Sequence, residues 1–201
     1  MTRLGYLVAT LASATLFAGG SIAVALLAPH PRLLWNATAS APTGLYQITA
    51  EAAPPVGTMV AVMPPPKLAA YMAERRYLPR GVPLLKHVAA MPGARLCRHG
   101  LRVTVEGRRV ATARWRDSHG RLLPIWRGCQ TLGRQALFLL NSAPDSMDGR
   151  YFGALPDAGL LGRATPILTR DTPGAPLRWH GFGGSPRPLT TLKTETSHAD
   201  R

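Results

Sequence analysis

Ser40 is the residue whose neighbours point most clearly to nucleophilic chemistry. It opens the turn-forming sequence Ser-Ala-Pro-Thr-Gly at residues 40–44. A serine at the mouth of a Pro/Gly turn presents its hydroxyl outward and leaves its own backbone N–H free to face a developing oxyanion. The same pattern is also typical of an ordinary turn serine. Ser40 therefore needs a partner base before it can be interpreted as a nucleophile.

A lysine could supply that base, and the chain has only three lysines among its 24 basic side chains. Lys67 opens a polar helical segment, and Lys193 lies near the end of the chain. Lys86 instead lies within the apolar run 82–93. Burial in a strand would lower the pKa of Lys86 and leave a neutral amine able to accept a serine proton. A lysine that reaches solvent from an edge strand is the alternative.

The neighbouring His87 offers a second candidate base. Adjacent strand residues point to opposite faces, so Lys86 and His87 cannot face the same site. A histidine base also requires an orienting carboxylate, and none of the ten acidic residues is well placed for that role. We interpret all six histidines as structural or solvent-exposed.

The N-terminal residues 4–28 predict a membrane anchor. These 25 residues carry no charge and are mostly Leu, Ala, Val and Ile. As a helix they would span roughly 37 Å, more than the ~30 Å hydrocarbon core of a bilayer. A cleaved secretory signal is the alternative, and residues 37–39 resemble a cleavage site, but the stretch exceeds the roughly 7–15 residues of a signal's apolar region. We expect a retained single-pass anchor, with the following domain outside the cytoplasm.

The two cysteines, Cys97 and Cys129, allow one pairing. In an oxidising compartment a disulfide is the natural interpretation, and it would contribute on the order of 3–4 kcal/mol. Two buried free thiols are the alternative. A zinc site would need more histidines nearby than His99 alone.

The net charge of +14 and the pI of about 11.3 suggest three explanations. These are nucleic-acid binding, attraction to an anionic membrane surface, and arginine-rich usage without a specific partner. The basic residues form no run, and only four Phe and five Tyr are available to stack on bases. Nucleic acid is the least favoured partner.

The chain after the anchor is typical of a mostly-β domain, because 19 prolines and 20 glycines accompany short strand-like runs. The predicted strands are 45–48, 57–63, 83–90, 101–105, 109–114 and 136–141, and residues 67–77 have helical spacing. We predict three parts: an anchor at 1–28, a catalytic domain at 29–170 and a loosely ordered tail at 171–201.

Three segments resemble the boxes of the signal peptidase family, most closely its conjugative-transfer (TraF-type) branch. Residues 40–46 are similar to the nucleophile box, and residues 84–93 are similar to the lysine box with its Pro-Gly close. Residues 141–153 resemble the late Asp-Ser-Arg box, with Gly-Arg following at 162–163. The boxes occur in the family's order behind one N-terminal span.

The resemblance implies a serine–lysine dyad without histidine, in which Ser40 is the nucleophile and Lys86 the general base. Thr38, two residues before the nucleophile, would complete an oxyanion hole with the Ser40 N–H, the alternative being a polar linker residue. Asp148 and Arg150 would support the site as a pair, the alternative being a surface loop pair.

The late box departs from the family pattern at Gly149, where a serine is usual. This puts one supporting hydrogen bond in doubt. A calcium loop formed by Asn141, Asp145 and Asp148 is a further alternative, but it lacks the ligand spacing of an EF-hand.

The resemblance implies a mostly-β, signal-peptidase-like coiled barrel behind one transmembrane helix. We expect a membrane-anchored serine endopeptidase that processes an exported precursor, specifically a conjugative pilin, with cyclisation through the acyl-enzyme as a further outcome. The expected partners are this protein substrate and membrane lipid, with no nucleic acid, cofactor or metal. The expected location is the inner membrane, with the catalytic domain on the periplasmic side. The alternatives are a general type I signal peptidase and a non-catalytic envelope scaffold.

Overall fold

The computed structural model describes residues 2–27, 33–172 and 174–182 and divides the chain into two units, Met1–Arg32 and Leu33–Arg201. The first unit contains helix α1 (Arg3–Leu27). Its segment Arg3–Val24 has a mean hydropathy of 1.8 and is long and apolar enough to cross a membrane. The expected end of the anchor at residue 28 lies outside the described residues.

The second unit is built from short strands and two short helices. The first strands and helix are β1 (Leu33–Asn36), β2 (Thr43–Thr49), β3 (Met59–Val62), α2 (Pro66–Glu74) and β4 (Leu84–Ala90). They are followed by β5 (Arg95–His99), β6 (Arg102–Val105), β7 (Arg108–Thr112), β8 (Gly128–Thr131) and β9 (Ala136–Leu140). The last elements are α3 (Gly149–Phe152), β10 (Leu155–Pro156), β11 (Leu160–Arg170) and β12 (Arg178–Trp179). The expected mostly-β class is confirmed.

The strands form two antiparallel sheets. The larger sheet has the order β1-β2-β11-β3-β4-β9-β10, with β12 also paired to β11. The smaller sheet has the order β7-β6-β5-β8. Every residue of β3 is buried, and most of β4 is buried beside it, as expected for strands inside a sheet that is covered on both faces.

The apolar side chains of β4 and β9 pack into separate cores on the two faces of the larger sheet. Val88 and Leu139 belong to a core that also receives Met72 from α2. Leu85 packs with Tyr46 of β2 in a second core. A third core joins β9 to the smaller sheet. The central strand β4 is thereby fixed from both sides.

Two features differ from the sequence-based expectation. Gly44 lies within β2 and not in the predicted turn: its φ is 140°, and a Cβ there would lie 2.1 Å from the Leu168 carbonyl oxygen of β11. Only glycine permits this close approach of two strands. In addition, β12 lies in the segment 171–201, where we expected a loose tail. Leu168 pairs with Trp179, and His180 N donates to the Ile167 carbonyl. Residues 183–201, including Lys193, lie outside the described residues.

Candidate active site

Lys86 is buried in the middle of the larger sheet. It lies on β4 opposite Val60 of β3, and its exposed fraction is 3%. Burial lowers the pKa of Lys86 to about 8, against the smaller opposing effect of the nearby Asp148 carboxylate. The structure therefore gives Lys86 a buried position and not the solvent-reaching one. An amine with this pKa has a neutral fraction near physiological pH that an ordinary lysine lacks, and this neutral form can act as a base.

The loop that carries Ser40 is organised by Asn36, the last residue of β1. The Asn36 side-chain amide donates to the carbonyls of Thr38, Ala41 and Pro42 at 3.0–3.2 Å. Its Oδ1 accepts from the Thr38 backbone N–H at 3.0 Å. Asn36 is itself buried, so these bonds lie away from competing water. Sequence reasoning missed this residue, because a polar side chain before a turn carries no signal of the contacts it makes.

The two predicted dyad residues lie together. Lys86 Nζ is 3.5 Å from Ser40 Oγ, although 46 residues separate them in sequence. This distance is at the outer limit of a hydrogen bond. Catalytic hydrogen bonds are often long before substrate binds, so the geometry is compatible with proton transfer.

Ser146 makes the shortest contact to the lysine and was not singled out from the sequence. Lys86 Nζ donates to Ser146 Oγ at 2.7 Å, and the exposed fraction of Ser146 is 2%. A neutral amine has two N–H donors and one lone pair. The bond to Ser146 fixes one donor and helps to direct the lone pair toward Ser40. Ser146 lies in a loop rich in small and polar residues, where sequence alone does not separate it from Ser142.

Asp148 and Arg150 form a fully buried ion pair that shapes this loop. Arg150 Nε donates to Asp148 Oδ1 at 2.8 Å, and the side chains are 4% and 0% exposed. Arg150 Nη2 also donates to the Asn141 carbonyl at 2.6 Å, and Arg150 Nη1 donates to the Pro144 carbonyl at 3.2 Å. Asp148 Oδ2 accepts from the Asn141 backbone N–H at 3.0 Å. The pair ties both ends of the segment that presents Ser146, unlike a surface loop pair.

Gly149 has a steric reason to depart from the family's serine. A Cβ at this position would lie 2.7 Å from the Phe138 ring and 2.8 Å from the Leu139 carbonyl oxygen. Both contacts are far inside van der Waals distance, and both belong to the buried strand β9. A serine in this backbone therefore has no space.

Thr38 lies beside Ser40, on the same loop. Its hydroxyl donates to Asn36 Oδ1 at 2.7 Å, so its single proton is engaged in this structure. To face an oxyanion, the hydroxyl must turn away from Asn36. Asn36 Oδ1 would keep the Thr38 backbone N–H as a partner after that rotation.

His87 points away from the dyad. Its Nδ1 lies 3.2 Å from Asn141 Oδ1, while Asn141 Nδ2 donates to the Leu85 carbonyl at 3.0 Å. Because the Asn141 amide is already a donor to Leu85, the His87 nitrogen must donate to the Asn141 oxygen. Burial lowers the pKa of His87, so the ring is held neutral as a structural donor.

The smaller sheet has a disulfide between two of its own strands and is linked to the same region by hydrogen bonds. Cys97 on β5 and Cys129 on β8 are directly opposite and form a disulfide. Arg98, which follows Cys97, is buried and donates through Nη1 to the Arg150 carbonyl. The Trp126 indole N–H donates to the Gly149 carbonyl at 3.0 Å. These contacts satisfy carbonyls of α3 and hold it in place.

Ser40, Lys86 and Ser146 line one cavity of about 510 Å³. Its walls are partly apolar, with Met72 from α2 and Met147 from the late box. This volume lies within the range of roughly 300–1,000 Å³ that is typical of ligand sites. A substrate segment in the cavity would reach both the hydroxyl and the amine.

Known proteins of one peptidase family are similar to this chain. The family described as "Signal peptidase, peptidase S26" matches residues 4–169. The conjugal transfer protein TraF of Agrobacterium fabrum (strain C58) is 37% identical over 148 residues, covering 68% of this chain and 82% of the relative. The TraF of Agrobacterium tumefaciens (strain 15955) is 39% identical over 149 residues, covering 67% and 81%. The probable TraF of Sinorhizobium fredii (strain NBRC 101917 / NGR234) is 36% identical over 169 residues, covering 79% and 87%.

Among solved structures, a signal peptidase I from Enterococcus faecalis V583 is similar at a TM-score of 0.33 and 17% identity. The matched region covers 58% of this chain and 98% of the Enterococcus chain. The family match and the curated relatives confirm the resemblance that the three sequence segments indicated. This chain therefore belongs to the S26 family of signal peptidases.

Proposed function

We propose that this protein is a membrane-anchored serine endopeptidase in which Ser40 is the nucleophile and Lys86 the general base. The observation that supports this most directly is the approach of the two groups. A buried amine with a pKa of about 8 lies 3.5 Å from a serine hydroxyl, and both line one cavity. Membership of a peptidase family agrees with a protein substrate.

In the proposed reaction, Ser40 Oγ attacks the scissile carbonyl carbon while its proton passes to Lys86 Nζ. The carbonyl oxygen becomes an oxyanion, stabilised by the Ser40 backbone N–H and, after rotation, by the Thr38 hydroxyl. The intermediate collapses as Lys86 returns the proton to the leaving amine, and an ester forms on Ser40. Lys86 then takes a proton from water, which attacks the ester. As the acid is released, Lys86 returns this proton to Ser40 Oγ.

The substrate we propose is an exported precursor, specifically a conjugative pilin. The proposal is supported by the relatives named conjugal transfer proteins, at 36–39% identity. We further propose that α1 holds the protein in the inner membrane, with the catalytic unit on the periplasmic side and membrane lipid around the helix. A reporter fused after Arg170 should be active outside the cytoplasm, and activity in the cytoplasm would contradict this topology.

Processing of the pilin precursor tests the proposed function. The precursor should be shortened when it is co-expressed with the wild-type protein and should stay intact with Ser40→Ala. Equal processing of many unrelated exported proteins would instead favour a general signal peptidase. Unchanged conjugation with Ser40→Ala would favour a non-catalytic scaffold in the transfer apparatus.

The same acyl-enzyme permits a second outcome, in which the amino terminus of the substrate attacks the ester in place of water. A positioned amine can outcompete water by effective concentration. The product would be a head-to-tail cyclic chain, lighter by one water than the linear product and without a free amino terminus. Intact-mass measurement of the processed pilin separates the two, and accumulation of the linear chain alone would exclude cyclisation.

A further inference from the structure

Three arginines line the same cavity as the dyad and have no role in the chemistry described above. They are Arg76, the second residue after α2, and Arg114 and Arg116, after β7. All three are exposed. Within residues 2–27, 33–172 and 174–182, none of the three forms a salt bridge with a carboxylate.

Of the two carboxylates that line the cavity, Asp117 is already neutralised. Asp117 Oδ2 accepts from Arg121 Nε at 2.7 Å and from the Tyr77 hydroxyl. Its Oδ1 accepts from the backbone N–H groups of His119 and Arg121, both at 2.9 Å. The other carboxylate, Asp145, remains against three arginines. The cavity therefore has a net positive charge even when Lys86 is neutral.

The three arginines and the dyad lie on different elements of the cavity wall. Arg76 follows α2, and Arg114 and Arg116 follow β7. Ser40 follows β1, and Lys86 lies on β4. A peptide whose scissile bond reaches Ser40 would therefore meet the arginines some residues away from that bond.

Hydrogen bonds between the end of α2 and the loop after β7 hold the backbone segments that carry the arginines. Arg75 Nη1 donates to the Leu122 carbonyl at 3.0 Å, and Arg121 Nη2 donates back to the Arg75 carbonyl at 3.1 Å. The Arg114 backbone N–H donates to the Tyr151 hydroxyl at 3.1 Å. The backbone positions of the arginines are therefore fixed before substrate binds, which lowers the entropic cost of using them.

We propose that Arg76, Arg114 and Arg116 select substrates that carry an acidic side chain a few residues from the scissile bond. The inference rests on the proposed peptidase function and adds a substrate class to it. A guanidinium binds a carboxylate through two parallel hydrogen bonds, so charge and shape both favour aspartate and glutamate. Phosphate headgroups of membrane lipid have a similar chemistry, and the experiment distinguishes these two ligands.

The test uses the full-length protein in detergent micelles with a peptide library made from a digested proteome. Mass spectrometry of the new termini gives the residues around each cleaved bond. We expect aspartate and glutamate to be enriched about threefold or more at one position within roughly four residues of the bond. An enrichment of this size corresponds to the free energy of one exposed ion pair. The double variant Arg114→Gln/Arg116→Gln should lose this enrichment. The control Arg108→Gln/Arg109→Gln removes two exposed charges from β7, outside the cavity, and should keep it.

Four results would overturn the inference, and they are distinguishable. Cleavage above the Ser40→Ala background without acidic enrichment would leave the peptidase function intact and contradict the acidic preference. Enrichment that persists in Arg114→Gln/Arg116→Gln, and also after Arg76→Gln is added, would assign the selection to other residues. The cleavage rate is also compared in micelles with and without phosphatidylglycerol. If the arginine variant loses only a rate increase caused by this lipid and keeps the acidic enrichment, the arginines bind lipid. The absence of any cleavage above background would overturn the proposed function itself, and this inference with it.

Discussion

Lys86 Nζ donates a 2.7 Å hydrogen bond to Ser146 Oγ, a shorter contact than its 3.5 Å separation from Ser40 Oγ. In the proposed mechanism, Ser146 orients the amine and Ser40 exchanges a proton with it. The buried Asp148–Arg150 pair holds the loop that carries Ser146. The position of the base therefore depends on a residue that does not itself react.

Ser146→Ala should lower kcat by about tenfold to a hundredfold, because the Lys86 amine loses the group that orients it. KM should change little, and the pH profile should shift as the amine loses a hydrogen-bond partner. The change is measured as the initial rate of precursor cleavage over a pH series. Ser142→Ala, in the same loop but exposed and outside the cavity, serves as the control. Wild-type kinetics and an unchanged pH profile in Ser146→Ala would show that Lys86 is oriented without it.

The pH dependence of cleavage should follow the neutral form of Lys86. A lowered pKa of about 8 means that the amine is protonated and inactive below that pH. The value of kcat/KM should therefore rise about tenfold per pH unit below pH 8 and level off above it. Lys86→Arg should be inactive at every pH tested, because a guanidinium stays protonated. A profile that is flat through pH 8 would contradict the role of the lysine.

His87→Ala separates the lysine from the neighbouring histidine. The variant should keep the inflection near pH 8 and substantial activity, since His87 contacts Asn141 and lies outside the cavity lining. Its cost should be a loss of stability of about 1 kcal/mol, from the lost hydrogen bond to Asn141. Loss of the inflection in this variant would move the base to the histidine.

Gly149→Ser, which restores the residue usual in the family, should destabilise this protein by about 1–3 kcal/mol, because the new Cβ overlaps Phe138 and Leu139. Gly133→Ser is the matched control, since a Cβ there meets no atom within 4 Å. Denaturant unfolding of both variants in micelles gives the comparison. Equal stability of the two variants would show that β9 moves easily away from α3.

The disulfide should be present in protein taken from its native compartment. Non-reducing peptide mass spectrometry should find Cys97 linked to Cys129. Replacing both with serine should lower the free energy of unfolding by about 3–4 kcal/mol, given the sequence separation of 32 residues. Two alkylatable thiols in the native protein would contradict the pairing.

The elements that the sequence predicted best are those with a clear local pattern, either an apolar run or helical spacing of apolar residues. β4 was expected at 83–90 and lies at Leu84–Ala90, and the helix expected at 67–77 is α2 at Pro66–Glu74. β5 was missed because its sequence, Arg-Leu-Cys-Arg-His, looks polar, although Arg98 is buried by contacts with distant carbonyls. β11 was missed because Gly162 and Pro166 interrupt its pattern.

The residues of the candidate site likewise fall into those that a local sequence pattern indicated and those that only the folded structure revealed. Lys86 was accessible because lysine is rare in this chain and this one lies in an apolar run. Ser40 was accessible because it opens a Pro/Gly turn. Asn36 and Ser146 were not, because their roles arise only from contacts made in the folded chain: Asn36 across a folded turn, and Ser146 with a lysine 60 residues away. The steric reason for Gly149 likewise depends on β9, which is adjacent only after folding.

The serine–lysine dyad is tested most directly by the rate of precursor cleavage by purified Ser40→Ala and Lys86→Ala proteins, with Ser142→Ala as the control. Both dyad variants should lose cleavage to background while remaining folded, and Ser142→Ala should cleave at the wild-type rate. Rapid acid quench of the wild-type reaction should leave the acyl group on the peptide that contains Ser40. Cleavage by Ser40→Ala above background, or an acyl group on any other residue, would show that Ser40 is not the nucleophile.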